Sequence, residues 1–372
     1  SLHDALPISA VVCSTDPSGK IQSTQDSAAG KVDKALYPGA QTVVIGNLLA
    51  VVSETEWEAV SAAQQVAGET KWTEWKGLPG HERLFDHLRK SVDWTVYPTR
   101  DGRANRGDPT AVATKKALKA SYNVPYHKHA PIGPMVTLAD VRADGSVTLH
   151  TISQNPQHLR GMIARMLDIS AEKVVVRTYP GPGHFGRSNG GSAGTEDEAV
   201  LLSQALGRPV RLQWMRPDDM QWSTQSSAMV ADIAITLDDA GRIATYEAEH
   251  RGPPMQDDRL VGALLAGKPV IPAPGAGVAY GFQGGELNIA DAWVYGTVAN
   301  VREQGFGTHQ LGEKSSPTAV GLRDHSMRTP IQFQQNFPRE SAISEAAALA
   351  GADPIQFRID HVDSPRFKTL LA

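Results

Sequence analysis

The stretch of this sequence best suited to chemistry is Gly181-Pro182-Gly183-His184-Phe185-Gly186, set between a valine-rich run and a helix start. By letter it satisfies GxGxxG, a motif that lays backbone amides against the pyrophosphate of a dinucleotide. Its surroundings depart from that pattern. The helix of a dinucleotide site opens within the motif, whereas here the next cap, Thr195, comes well after Gly186. Pro182 stiffens the turn that should hug the phosphates. The acid expected about 20 residues on falls among Ala205–Pro209, where there is none. The physics of the run is still that of an anion site. Glycines at 181, 183, 186, 190, 191 and 194 let backbone amides come close to a ligand, and the following helix turns its positive end the same way. Two readings stand: a ligand-binding loop, or a pliable connection.

Other constellations are weaker. His127 and His129 form an H-x-H pair that a strand would turn to one side, as zinc ligands need. No third ligand lies at a helpful spacing, so a buried, hydrogen-bonded histidine is the plainer reading. No G-x-S-x-G elbow supports a serine nucleophile. Glu196, Asp197 and Glu198 read as a helix N-terminus, and Asp218 and Asp219 as a turn. Cys13, the one cysteine, excludes a disulfide framework, a cysteine-based zinc site and an iron–sulfur cluster held by this chain alone. Electrons moved here must therefore use a bound organic or pterin cofactor, or leave for a partner. With 36 Lys and Arg against 40 Asp and Glu, net charge −4, there is no electrostatic footprint for nucleic acid. No apolar run reaches transmembrane length.

The elements that must position these residues are legible in outline. Gln41–Ser53 reads as a hairpin about Gly46-Asn47, and Glu54–Ala67 as a helix with Trp57, Val60 and Ala63 on its stripe and Gly68 as its cap. A short helix is expected at His81–Arg89. Met135–Arg142 and Val147–Ser153 pair about Asp144-Gly145. Asn155 caps a helix with Pro156 at its first position, and Lys173–Thr178 is a strand. Thr195-Glu196-Asp197-Glu198 reads as a capping box. Pro209–Met215 is a strand, Met229–Leu237 and Arg242–Arg251 form a long hairpin, and Gly252–Gly312 is loop-rich. Asn336–Ala350 and Asp353–His361 are helices with Asn or Asp caps and Pro in the first turn. The chain begins at Ser1 without Met, as a fragment or processed form would, and residues 1–9 carry no readable pattern.

Several motifs, in order, carry a family resemblance. Tyr122-Asn-Val-Pro-Tyr-His-Lys-His-Ala-Pro-Ile-Gly-Pro134 resembles the opening strand of the molybdopterin-binding large subunit of the xanthine dehydrogenase/aldehyde oxidase family. Ser153-Gln154-Asn155-Pro156 is similar to its first cofactor segment, and Gly183-His184-Phe185-Gly186-Arg187 to its Gly-Gly-Phe-Gly segment. Glu198–Leu202, Gly207–Asp219, Met327-Arg328, Glu340–Ile343 and Gly351–Arg358 continue the match. Isoquinoline 1-oxidoreductase and nicotinate dehydrogenase large subunits are the nearest likeness within the family.

The resemblance implies an α+β fold: a small hammerhead domain (10–76), a connecting segment (77–114), and the first half of a molybdopterin-binding domain (115–372). It implies a molybdenum hydroxylase acting on N-heteroaromatics or aldehydes, with molybdenum–molybdopterin, in its cytosine dinucleotide form, as cofactor. The partner would be an iron–sulfur or cytochrome electron-transfer subunit. Gln154 would hydrogen-bond an oxo ligand of the metal, while Gly183, His184, Phe185, Gly186 and Arg187 would hold the cofactor. Arg328 would stabilise negative charge developing on substrate. Pro182 and His184 replace small residues of the family segment, and Thr329-Pro330 replaces a glycine-rich one. The family's base glutamate belongs to a second half absent before Ala372, so this stretch is expected to be inactive alone. A cofactor-free scaffold and a nicotinamide dehydrogenase are the rival readings, and the compartment stays open.

Overall fold

A computed structural model describes residues 8–12, 30–72, 80–90, 94–97, 105–112, 116–252, 260–268, 293–307, 325, 327–328 and 332–372. Cys13 and the Thr329-Pro330 pair lie outside them.

The first strands are β1 (Ile8–Val12), β2 (Gln41–Ile45) and β3 (Leu48–Ser53), followed by helix α1 (Glu56–Glu69). The hairpin turns at Gly46-Asn47 as its sequence requires, with Ile45 opposite Leu48. Both faces of β3 are buried: Leu48 and Ala50 join the main core, while Leu49 and Val51 pack on Ala62, Ala63 and Val66 of α1. The stripe on α1 is therefore made of alanines and valines. Trp57, expected in it, is 76% exposed. The helix also runs past Gly68, because Thr70 ends it: its N–H and hydroxyl both donate to the Val66 carbonyl, at 3.0 and 2.6 Å.

The connecting stretch holds α2 (Leu84–Lys90), β4 (Thr95–Tyr97) and β5 (Asn105–Arg106). Then come β6 (Lys116–Val124), β7 (His127–Lys128), β8 (Val136–Val141), β9 (Val147–Thr151), α3 (Pro156–Leu167), β10 (Val174–Thr178), α4 (Glu196–Leu206), β11 (Val210–Gln213) and α5 (Arg216–Trp222). The remainder is β12 (Gln225–Ser226), β13 (Met229–Leu237), β14 (Ile243–Arg251), α6 (Val261–Leu265), β15 (Asn300–Gly307), α7 (Gln332–Ala350), α8 (Pro354–His361) and α9 (Pro365–Leu371).

Two large sheets and a two-stranded ribbon of β7 with β12 organise these elements. One has the order β10-β9-β8-β11-β1-β3-β2, so the N-terminal strands extend the same sheet as β8–β11, with β1 parallel to β11. The other has the order β4-β15-β14-β13-β6. Its inner face packs Ile233, Ile235 and Tyr246 against Ala342, Ile343 and Ala346 of α7. In the first sheet β9, α3 and β10 form a parallel crossover unit, which needs a long connection that the helix supplies. The carboxyl ends of this parallel pair release the segments 152–155 and 179–195.

Two helix starts differ from expectation. Thr195 makes no cap bond; its hydroxyl instead meets that of Thr137 at 2.7 Å. Glu196, the first residue of the helix, turns its carboxylate back onto the preceding loop instead. Helix α7 begins at Gln332, with Asn336 and Pro338 inside it. The Gln334 side chain donates to Ser226 and to the Ser227 carbonyl, anchoring an extra turn, so the missing N–H of Pro338 costs the helix a bond without ending it. At α3 and α8 the expectation holds: Asn155 Oδ1 accepts from the His158 N–H, and Asp353 Oδ1 from those of Ile355 and Gln356.

Candidate functional site

The loop after β10 has the backbone its glycines allow. Gly183 and Gly186 take φ of +106° and +105°, values open to glycine and costly for any residue with a Cβ. Phe185 between them also has positive φ, +54°, and its ring is 45% exposed. A bulky residue in this region carries strain of about 1–3 kcal/mol, a feature concentrated at ligand clamps. The N–H groups of Gly183, His184, Phe185 and Gly186 donate to no described group. Anion-facing amides require that freedom.

Gln154 and this loop are clasped together residue by residue. The Ser153 hydroxyl donates to the Gly191 carbonyl, the Gln154 N–H to Ser188 Oγ at 3.1 Å, and Asn155 Nδ2 to the Asn189 carbonyl at 2.9 Å. At the point of closest approach a Cβ on Gly191 would stand 2.9 Å from the Leu159 nitrogen at the start of α3. Ser188 N–H and Oγ both reach Gln154 Oε1, at 3.3 and 3.1 Å. This fixes the carbonyl end of the amide inward and leaves Nε2 exposed, with no described partner. The same Oγ lies 2.8 Å from His184 Nδ1. Burial, then the Arg187 charge, lower the pKa of His184.

Arg328 comes to the same place. Its backbone N–H donates to the Phe185 carbonyl at 2.6 Å, and its side chain is exposed. Arg187 turns the other way: its guanidinium is 1% exposed and paired with the fully buried Asp219 of α5. Asp219 also holds Arg216 at 2.7 Å. The acid read as a turn is thus an interior counter-ion, and Arg187 is the anchor of the loop. Burial pulls its pKa down while Asp219 opposes that shift.

The acids at the start of α4 are buried as well. Glu196 accepts from the Thr151 hydroxyl at 2.6 Å, the Ser192 hydroxyl at 3.0 Å, and the N–H groups of Ala193 and Gly194. It ties the end of β9 to the end of the glycine loop. Glu198 accepts from Trp214 Nε1 at 2.9 Å, and burial together with the neighbouring Asp197 pushes its pKa well up. The sequence does not mark Ser188 and offers Asp219 only as part of a turn, because each acquires its role through a partner more than thirty positions away.

The H-x-H pair divides. His129 is buried with Nδ1 3.2 Å from the Thr224 carbonyl, and His127 meets the Phe333 ring edge-on at 5.0 Å. Among the described residues no cluster of three or more His, Cys, Asp or Glu could hold a metal ion. The GxGxxG reading lacks its geometry too: α4 starts at Glu196, far beyond Gly186.

Residues 95–252 match the family described as the molybdopterin cofactor-binding domain. The chain is 29% identical to a nicotinate dehydrogenase subunit of Pseudomonas putida, over 89% of its own length and 26% of that protein's. The chain thus carries a molybdopterin cofactor-binding domain and is similar to proteins of the xanthine dehydrogenase/aldehyde oxidase family. It is also 27% identical to the aldehyde oxidoreductase molybdenum-binding subunit of Escherichia coli, over 91% of this chain and 41% of that one. Its fold is that of quinoline 2-oxidoreductase from Pseudomonas putida 86, with a TM-score of 0.65 at 17% identity over 97% of this chain and 47% of that chain. The chain thus spans about a quarter to two fifths of these curated relatives. No described helix is long and apolar enough to cross a membrane. The matched residues 95–252 are those of a domain for molybdopterin, and the site suits such a group. The unbonded amides of 183–186 and the outward Gln154 Nε2 are donors, matching the anionic and oxo character of that cofactor.

Proposed function

We propose that this chain is the cofactor-binding portion of the large subunit of a molybdenum hydroxylase that acts on N-heteroaromatic compounds or aldehydes. Residues 10–76 would be its hammerhead domain and residues 115–372 the first half of its molybdopterin domain. The observation that carries this reading is the juxtaposition of three features: free amides at 183–186, the Gln154 amide fixed by Ser188, and Arg328 bonded to the Phe185 carbonyl. When bound, the cofactor, in its cytosine dinucleotide form, supplies a two-electron centre that oxidises the substrate with oxygen taken from water. The chain's own part is to hold and orient. Gln154 Nε2 and the 183–186 amides would be the donors that hold the cofactor, and Arg187 keeps the loop in place from beneath. Arg328 offers a cation where charge grows on the substrate. Electrons leave for an iron–sulfur or cytochrome subunit.

Metal and pterin analysis of the full-length protein tests the reading: molybdenum with pterin is expected. Neither would leave a cofactor-free scaffold, and tight nicotinamide binding would indicate a dehydrogenase. Two variants refine it. Gly186→Val, which forces a β-branched residue into φ of +105°, is expected to abolish molybdenum retention while the α1 unit stays folded; retained molybdenum would remove the loop from the site. Arg328→Met is expected to lower turnover by about 10²-fold or more, the scale of losing one transition-state stabiliser, with metal content unchanged. Normal turnover at normal metal content would place the substrate elsewhere.

A further inference from the structure

His184 stands where the family segment has a small residue, and the geometry around it determines which ring nitrogen carries a proton. Ser188 Oγ meets three groups: the Gln154 N–H, Gln154 Oε1 and His184 Nδ1. The Ser188 N–H fixes Oε1 as an acceptor. The hydroxyl has one proton to give. Given to His184, it would leave two oxygens facing each other at 3.1 Å with only lone pairs between them. Given to Gln154 Oε1, it satisfies every contact, provided Nδ1 is itself protonated and donates to Ser188 Oγ. The ring is then the neutral Nδ1–H tautomer. Its Nε2 keeps a lone pair, is bonded by no described group, and sits on a half-buried ring that shares one hydroxyl with Gln154.

We propose that His184 Nε2 is a substrate-contacting hydrogen-bond acceptor, so that this site favours heterocycles presenting an N–H donor, as lactam and imidazole rings do, over rings whose nitrogen offers only a lone pair. This rests on the function proposed above and narrows its substrate class. A lone pair facing a lone pair repels, whereas an N–H facing Nε2 gains a hydrogen bond. Sites that hydrogen-bond a substrate N–H discriminate strongly against analogues lacking it. Here the ring is half-buried, so the expected effect is about tenfold, the scale of one net hydrogen bond.

Two measurements on the full-length protein test this. Long-range proton–nitrogen spectra of 15N-histidine protein should show His184 as the Nδ1–H tautomer, and Ser188→Ala should abolish that preference. Binding of 2-pyridone should be about tenfold tighter than that of N-methyl-2-pyridone. His184→Leu should erase the difference by weakening 2-pyridone alone, and His184→Gln, whose amide can donate to Ser188 and still accept, should restore part of it. An Nε2–H tautomer, or equal binding of the two pyridones by the unsubstituted protein, overturns the proposal. Molybdenum content is read separately. Its absence would defeat the proposed function, whereas the tautomer and the pyridone pair decide the role of His184.

Discussion

Asp219→Ala is expected to destabilise the protein by about 3–5 kcal/mol, the cost of stranding one member of a buried ion pair. Its carboxylate is fully buried between two arginines, and the side chain of Arg187 is 1% exposed. Without Asp219 the Arg187 guanidinium would be an uncompensated charge in the interior, with Nε and Nη2 already lacking partners. Arg216 would suffer less, since it also donates to the Pro131 and Ile132 carbonyls. Urea unfolding of the full chain measures the loss. Asp219→Asn should cost less, because it keeps the shape of the pair. The double variant Arg187→Met with Asp219→Ala should recover much of the stability, since removing both charges leaves none buried alone. A loss below about 1 kcal/mol for Asp219→Ala, in the range of a surface pair, would show that Arg187 does not depend on it. The same substitution should loosen the 183–187 loop, so the stability of the fold and the order of the candidate site meet at this carboxylate.

How far the sequence could be read depended on the reach of each interaction. The Gly46-Asn47 hairpin, the Asn155-Pro156 helix start and the glycine backbone at 183 and 186 follow from the residues at those positions alone, and all three are present. Gln154, Phe185 and Arg328 were picked out by motif, and the fold brings them together through the Ser188 clasp and one backbone bond. What escaped was set by distant partners. Thr195 and Glu198 do not form a capping box because the Thr195 hydroxyl is drawn to Thr137, 58 positions earlier, and the Glu198 carboxylate to Trp214. Asn336 cannot start a helix that Gln334 has already anchored to Ser226. His250 and Glu303 look like ordinary polar positions on alternating strands. Their burial depends on α7, which arrives later in the chain and covers that face.

The last two residues carry an expected result for stability against pH. On adjacent parallel strands His250 is opposite Gly305 and Glu303 opposite Ala248, so both side chains lie on the face that packs under α7. Arg339 faces both groups, Tyr246 flanks Glu303, and Asp232 acts on His250 from β13. Burial raises Glu303 from 4.5 to about 7, opposed by Arg339. Burial lowers His250 from 6.5 to about 4, reinforced by Arg339. The signs are opposite. The folded state keeps the Glu303 proton that the unfolded chain releases, so stability from this group is full below pH 4.5 and is lost as pH rises to about 7. The folded state refuses the His250 proton that the unfolded chain takes up, so stability from that group is full above pH 6.5 and is lost as pH falls to about 4. Together they nearly cancel between about 4.5 and 6.5. Glu303→Gln should therefore expose the histidine: relative to the unsubstituted protein, stability should rise by about 3 kcal/mol from pH 4.5 to 7, at 1.36 kcal/mol per pH unit. His250→Asn should expose the glutamate, with a relative fall of similar size from pH 4 to 6.5. Urea midpoints across this range decide it. Profiles parallel to that of the unsubstituted protein in both variants would mean that neither group titrates from its buried position, and that α7 does not seal this face of the sheet.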